Sequence, residues 1–423
     1  MEKWIKNIKG TIPYTNKAVD IELNGKNLIV TGANGSGKTS FVRNVYEHIL
    51  ASALLQEIID NLPNKKDIIG LEIETLFTKE LVSGLKNLSS EKQQYLNERI
   101  KKLRIDNNIE FYPRFNANHL SNLFPHIVDF SEFATQLYNN NAIIRFYEEK
   151  RLSEIKPPKV GRQINIEENK KLGNDLEQHL FNLLTRQSFA ISKDKNEELA
   201  NEIQSWFDAF EKNLKLLFED DNLVLDLNFN EENPYIQIIQ EGKPPFTFQT
   251  LSAGYRAIFD IYADLLMHTE YFKIMPNELT GIVFIDEIDS HLHVSLQRLI
   301  LPFFAQSFPK IQFIVTTHSP FVLMSAEDTI VFDLAKNEPI TEDLSYYTYS
   351  AVMKGLWGVK PISVRLENSI KEIAKITNSE QKDYRRLKEL IEHTKPHTGT
   401  LDNESKVFLI LGMEALEEGG ENV

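Results

Sequence analysis

Residues 28–40 read L-I-V-T-G-A-N-G-S-G-K-T-S, and this order fixes the core of the fold. Leu28, Ile29 and Val30 are a short apolar run of strand character that feeds directly into a glycine-rich turn. G-x-x-x-x-G-K-T between a strand and a helix starting near Lys38 is a P-loop. Its glycines let backbone N–H groups point inward around an anion. Lys38 reaches the β- and γ-phosphates of a nucleotide, and the Thr39 hydroxyl is placed to coordinate Mg²⁺. The helix start behind the loop adds partial positive charge. Gly32, Asn34, Gly35, Ser36, Gly37, Lys38, Thr39 and Ser40 are the expected ATP-binding residues.

Upstream, Ile5–Ile8 and Val19–Leu23 alternate apolar and polar, as half-buried strands do, with Asn24-Gly25 as the turn that follows. Downstream, from 51 to 221, apolar residues recur at helical spacing, clearest in Leu172, Leu176, Leu180 and Leu184 and in Leu199, Ile203, Phe207, Phe210 and Leu214. The spacing predicts a mainly helical insertion containing a helical hairpin. From Leu223 the period becomes two and predicts a β-hairpin. A helix over Tyr255–Phe272, a strand over Gly281–Ile285, a helix over Val294–Ser307 and a strand over Phe313–Thr316 then spell a parallel β-α-β unit. The expected domains are an α/β ATPase head from 1–50 and 222–344, the insertion, and a helical C-terminal extension over 345–423.

Three more stretches carry chemistry. I-V-F-I-D-E at 282–287 is an apolar strand ending in two carboxylates. Asp286 suits the Mg²⁺ shell, and Glu287 suits a general base that polarises the attacking water. His318 closes the strand Ile311–Thr317 about thirty residues after Glu287, on the neighbouring strand of a sheet whose carboxyl ends host ligands. It reads as a γ-phosphate sensor. T-L-S-A-G-Y-R at 250–256 would alone be an ordinary helix N-cap. His291 and His293 have poor spacing for two metal ligands on one face and no evident third ligand.

Taken in order, the P-loop, Leu251–Tyr255, Asp286-Glu287, the loop at Asp289 and His318 resemble the ABC-type ATPase head. The signature departs from the common L-S-G-G-Q at Ala253 and Tyr255. The resemblance implies that the signature of one subunit caps the nucleotide of another, with the Ser252 hydroxyl and the Gly254 N–H meeting the γ-phosphate across a homodimer or a higher even-numbered oligomer. F-I-D-E-I-D-S-H-L-H followed by T-T-H-S-P-F is similar to soluble ABC-type ATPases of bacterial defence and DNA repair, and the size and layout are most similar to the PtuA-type ATPases of Septu and retron systems. No D-x-D pair or H-N-H pattern follows His318. A separate nuclease partner is therefore expected, HNH type favoured and Toprim-like possible. The alternative is a repair or chromosome-associated ATPase that clamps DNA itself.

Composition narrows the classes further. A net charge of -14 repels nucleic acid at long range, so contact with it is expected only through a local patch or a complex. With no cysteine, disulfide-stapled folds and thiolate metal sites are excluded. No apolar run suits a signal peptide or a bilayer span, which gives a cytoplasmic expectation without membrane attachment. Phe111–Asn116 is the candidate for the family's Q-loop, and Trp4 and Tyr14 are more simply core aromatics than adenine-stacking ones. Residues Ser405–Leu416 in the extension are expected to build the oligomer or dock the partner.

Overall fold

The computed structural model describes residues 3–12, 15, 17–60, 123–151, 155–159, 172–228, 235–325, 327–359, 363–379, 381–401 and 403–419. Phe111–Asn116, Tyr14 and the 229–234 turn of the expected hairpin lie outside the described residues. The chain divides into two compact units, Met1–Tyr347 and Thr348–Val423.

The first unit is built on a six-stranded sheet in the order β11-β10-β3-β9-β8-β5. Strands β3 (Asn27–Thr31), β5 (Ala142–Tyr147), β8 (Thr280–Ile285), β9 (Ile311–Thr316) and β10 (Thr329–Asp333) run parallel, and β11 (Glu338–Ile340) is antiparallel at the edge. β3 and β9 are buried at every position and β8 at all but its first, because both faces of the sheet are covered. A second, antiparallel sheet joins β1 (Ile5–Thr11) to β2 (Ala18–Glu22) on one side and β4 (Leu123–Ile127) on the other.

Helix α1 (Lys38–Asp60) connects the two sheets. Its Tyr46 ring lies 5.3 Å from Phe146 and 5.6 Å from Phe284 of the parallel sheet, while His48 lies 5.4 Å from Phe124 of the antiparallel one. Phe41, Val42 and Val45 join Ile8, Ile21, Leu28, Val30, Phe284 and Ile314 in one core. Gln312, fully buried in β9, stitches the sheets at one end: it accepts the Ile5 N–H at 2.7 Å and donates to the carbonyls of Ile5 and Lys26. Trp4 is a core aromatic, 4.8 Å from Phe133 of helix α2 (Phe130–Tyr138), with its indole N–H donated to Thr280.

The sequence reading of 51–221 as mainly helical misses β4 and β5, which lie within those bounds and belong to the two sheets. The expected helical hairpin is present as α3 (Leu176–Phe189) and α4 (Glu197–Phe218), and the β-hairpin as β6 (Val224–Asn228) and β7 (Tyr235–Ile239). The helices pack through an aromatic column onto α5 (Ala253–Phe272): Trp206 stacks on Phe210 at 5.5 Å, and Phe210 on Tyr262 at 6.1 Å. Tyr262 reaches Phe303 of α6 (Val294–Ser307) at 5.0 Å. Gly173 comes so close to α5 that a Cβ there would sit 2.9 Å from the Asp264 nitrogen.

The second unit packs α8 (Tyr349–Trp357), α9 (Val364–Thr377), α10 (Tyr384–Thr394) and α11 (Asn403–Gly419) after the short α7 (Pro320–Met324) of the first. Ile370, Ile373, Leu387, Leu390, Ile391 and Leu409 form its own core. No helix among the described residues is long and apolar enough to cross a membrane.

Candidate functional site

The carboxyl ends of β3, β8 and β9 lie side by side, and each delivers one of the motifs. β3 ends at Thr31, and the chain then turns through Gly32, Gly35 and Gly37 at φ +136°, +77° and +96°, all in the region that favours glycine. A Cβ on Gly32 would meet the Ala335 nitrogen at 3.0 Å and an Asp333 carboxylate oxygen at 3.2 Å. Lys38 is buried, and its ammonium donates to the loop carbonyls of Gly32 and Ala33 at 3.1 and 3.2 Å. The Ser36 hydroxyl is buried in the same loop with no hydrogen-bond partner, a polar group of the kind that an anion in the loop would satisfy. Asn34 and Thr39 are exposed, and the Ser40 carbonyl accepts from Asn44 at 2.6 Å.

β8 ends at the two carboxylates. Asp286 is buried, and its Oδ1 accepts the Thr316 hydroxyl of β9 at 2.6 Å. That hydroxyl oxygen also accepts the Glu287 N–H at 2.7 Å. Glu287 has φ +46°, a left-handed conformation that costs a non-glycine residue on the order of 1–3 kcal/mol. Asp289 accepts from the Thr317 hydroxyl, and the Asp286 N–H is donated to the Tyr147 carbonyl of β5 at 2.9 Å.

The charges act on one another across this edge. Burial lowers the pKa of the Lys38 ammonium, opposed by Glu287, Asp286, Asp289 and Asp333. Burial raises that of Glu287, with Glu149, Asp286 and Asp289 adding and Lys38 opposing, which moves the carboxylate toward the range useful to a base. His318 is half-buried, and burial together with Lys38 lowers its pKa while Asp289 and Asp286 oppose. Lys38, Asp286, Glu287, Asp289 and His318 thus share one electrostatic locus, although up to 280 residues separate them (318 − 38).

Ser252 and Gly254 belong to a different element, the amino end of α5. Ser252 is exposed, occupies the N-cap position, and makes no side-chain cap bond. Gly254 is buried against the turn after Asp289: a Cβ there would lie 3.2 Å from the His291 carbonyl oxygen. His293 caps α6 by accepting the Ser295 N–H at its Nδ1.

Sequence reasoning misses Arg151. The residue follows β5 by four positions and is buried. Its guanidinium donates to the carbonyls of Glu148 at 3.0 Å and Glu287 at 2.6 Å, and also to those of Asp286 and Ile288. The turn that carries Glu287 is therefore held on one side by Thr316 and on the other by Arg151. Glu148 pairs with Arg43 of α1 at 2.8 Å, which ties the same loop to the P-loop helix. A buried arginine 135 residues from its carbonyl partner leaves no local pattern, and recognising β5 in A-I-I-R-F-Y was the one available signal.

The donor set fits a magnesium nucleotide. The loop carries the orphaned Ser36 hydroxyl and the Lys38 ammonium, and the Thr39 hydroxyl and the Asp286 carboxylate are hard oxygen donors of the kind Mg²⁺ takes.

The chain is similar to several known proteins. "Retron Ec83 probable ATPase" of Escherichia coli is 32% identical over 41% of this chain and 30% of its own length. "Septu protein PtuA" of Bacillus mycoides (strain KBAB4) is 33% identical over 29% of this chain and 16% of its own. The chain thus spans less than a third of the length of either relative. Among solved structures, an Smc head bound to the C-winged helix domain of ScpA aligns at a TM-score of 0.36 and 15% identity, covering 79% of this chain and 96% of that one. The P-loop ATPase domain is related to these defence-associated ATPases. Residues 28–325 match the family model "AAA domain, putative AbiEii toxin, Type IV TA system", and the chain belongs to that family.

Proposed function

We propose that this protein binds and hydrolyses Mg-ATP at a site completed by a second copy of the chain, and that this cycle governs a separate nuclease in an anti-phage defence system. The observation that carries the hydrolytic reading is the convergence of Lys38, Asp286, Glu287 and His318 at one sheet edge, with the Glu287 turn fixed by Thr316 and Arg151. Lys38 leaves the loop carbonyls for the β- and γ-phosphates. Thr39 and Asp286 would hold Mg²⁺, and the ion when bound would supply positive charge against the phosphates. Glu287 takes a proton from the attacking water, and His318 contacts the γ-phosphate. Ser252 and Gly254 present a hydroxyl and a helix N-terminus to the nucleotide of the partner copy.

Similarity to a retron probable ATPase and to a Septu protein supports the defence setting. A net charge of -14 favours control of a nuclease over direct clamping of DNA. The nuclease is of the HNH type in this reading. The second unit is its docking element or the oligomer seam, since α11 exposes Val407, Ile410 and Leu411 along one face. Two measurements test the proposal: ATP turnover in the wild type, Lys38→Ala and Glu287→Gln, and co-purification with the product of the adjacent gene. Turnover that survives Lys38→Ala contradicts the site, and a purified complex without nuclease activity contradicts the setting.

A further inference from the structure

One residue joins the strand beside the two carboxylates to the helix capped by Ser252. Tyr147, the last residue of β5, accepts the Asp286 N–H at its carbonyl at 2.9 Å, and its phenol donates to Asp264 Oδ2 of α5 at 2.7 Å. Arg145 lies two positions back, on the same face of the strand. Its Nε is 3.6 Å from the same carboxylate oxygen, and the guanidinium also donates to His268 Nε2. His268 Nδ1 bonds the Asp264 carbonyl one turn earlier at 2.7 Å. A carbonyl only accepts, so the imidazole carries its proton at Nδ1 and accepts from Arg145 at Nε2. The Arg145 and Asp264 side chains are each 14% exposed. From another side, Gly173 packs against the backbone of α5 at Ala263 and Asp264. α5 is one helix from Ala253 to Phe272, and Asp264 stands eleven residues beyond its first (264 − 253). A helix is stiff over that length, about 16 Å, so a fixed Asp264 restricts where Ser252 lies.

We infer that Tyr147 is a positioning residue: its phenol holds α5, and with it Ser252, in one register on the strand whose carbonyl holds Asp286 beside Glu287. The inference rests on the shared-site reading above. Apolar contact alone would pack a helix on a sheet in several neighbouring registers. A mostly buried carboxylate is tolerated only where its bonds are met, and those from Tyr147 and Arg145 are met in one arrangement. In the proposed dimer, Ser252 serves the nucleotide of the other copy and Glu287 serves its own. The Tyr147–Asp264 bond therefore ties what one copy gives to the two sites into a single body. Seating the signature on one nucleotide and presenting Glu287 to the other then happen together.

The test compares Tyr147→Phe, Asp264→Ala, the double variant and Tyr262→Phe with the wild type and with Ser252→Arg, in the full-length protein. The readouts are binding of a fluorescent ATP analogue at dilute protein and turnover at protein concentrations that saturate the wild type. Tyr147→Phe removes one hydroxyl and leaves the ring and the backbone bond to Asp286. Tyr262→Phe is the control, because it removes another hydroxyl of α5, the one that accepts from Asn213 at 3.0 Å, without touching β5. We expect Tyr147→Phe to bind the analogue within about twofold of wild type and to lose at least about fivefold in turnover, while Tyr262→Phe stays within about twofold in both. Asp264→Ala lowers turnover in the same direction, and the double variant loses no more than the larger single loss, since both changes break one bond. Wild-type turnover in Tyr147→Phe beside an inactive Ser252→Arg overturns the inference and leaves the shared site standing. So does an equal loss in Tyr147→Phe and Tyr262→Phe, or a double loss that is the product of the single ones. Full turnover in Ser252→Arg overturns the shared site and the inference together. A Tyr147→Phe that does not fold passes the decision to Asp264→Ala, where unchanged turnover overturns the inference.

Discussion

At the scale of the residue, two side chains hold a strained turn in place. Glu287 sits at φ +46°, and its turn is fixed by the Thr316 hydroxyl and the Arg151 guanidinium. Hydrogen bonds from a charged donor contribute about 1.5–3 kcal/mol each, so Arg151→Met is expected to destabilise the fold by at least about 2 kcal/mol. It is also expected to lower turnover more than nucleotide affinity, because the P-loop is untouched. Equilibrium denaturation and turnover in the same buffer check this, and equal loss of binding and turnover counts against a role at Glu287. In the proposed mechanism, Glu287→Gln would keep the metal and phosphate contacts but remove the base. ATP is expected to bind and stay trapped, read as retained nucleotide after gel filtration. The P-loop and the Asp286-Glu287 pair are legible in the sequence because their chemistry is local. Arg151 and Thr316 are not, because the groups they hold arrive from 135 and 30 residues away.

At the scale of the element, Glu177 gives α3 a pH signature. Burial raises its pKa from the usual 4.5 to about 7. The native state therefore keeps a proton that the unfolded chain gives up from about pH 4.5 upward. Stability falls as pH rises through that window and levels off above pH 7, by up to about 3 kcal/mol in total. Glu177→Gln removes the dependence, so its melting temperature relative to the wild type is expected to rise between pH 5 and pH 8. A difference that does not change with pH contradicts the raised value. The aromatic column gives a second prediction. Phe210, 2% exposed between Trp206 and Tyr262, is expected to cost about 3–5 kcal/mol when changed to alanine, read by urea unfolding. The hairpin helices and the β8-α6-β9 unit are legible because their periodicity is long and clean. β4 and β5 are not: each is short, and β5 is a strand only because it pairs with β8, 138 residues on.

At the scale of the whole molecule, the second unit has a core of its own, and the boundary falls after Tyr347. A cut at Thr377 would strip Ile370 and Ile373 from Leu387 and Leu409, whereas a cut after Tyr347 removes the unit intact. The shortened chain, residues 1–347, is expected to fold and to bind ATP as the full chain does, and to lose either oligomer mass or the nuclease partner. In the proposed dimer the signature of one copy serves the P-loop of another. Complementation tests it most directly. Lys38→Ala lacks a working P-loop, and Ser252→Arg lacks a working signature. In a symmetric dimer formed from an equal mixture, half of the pairs are mixed, and each rebuilds one of two sites, so about a quarter of the wild-type turnover is expected where each variant alone has none. No recovery in a mixture that native mass measurement shows to contain the mixed dimer, or full turnover by Ser252→Arg alone, contradicts the shared site.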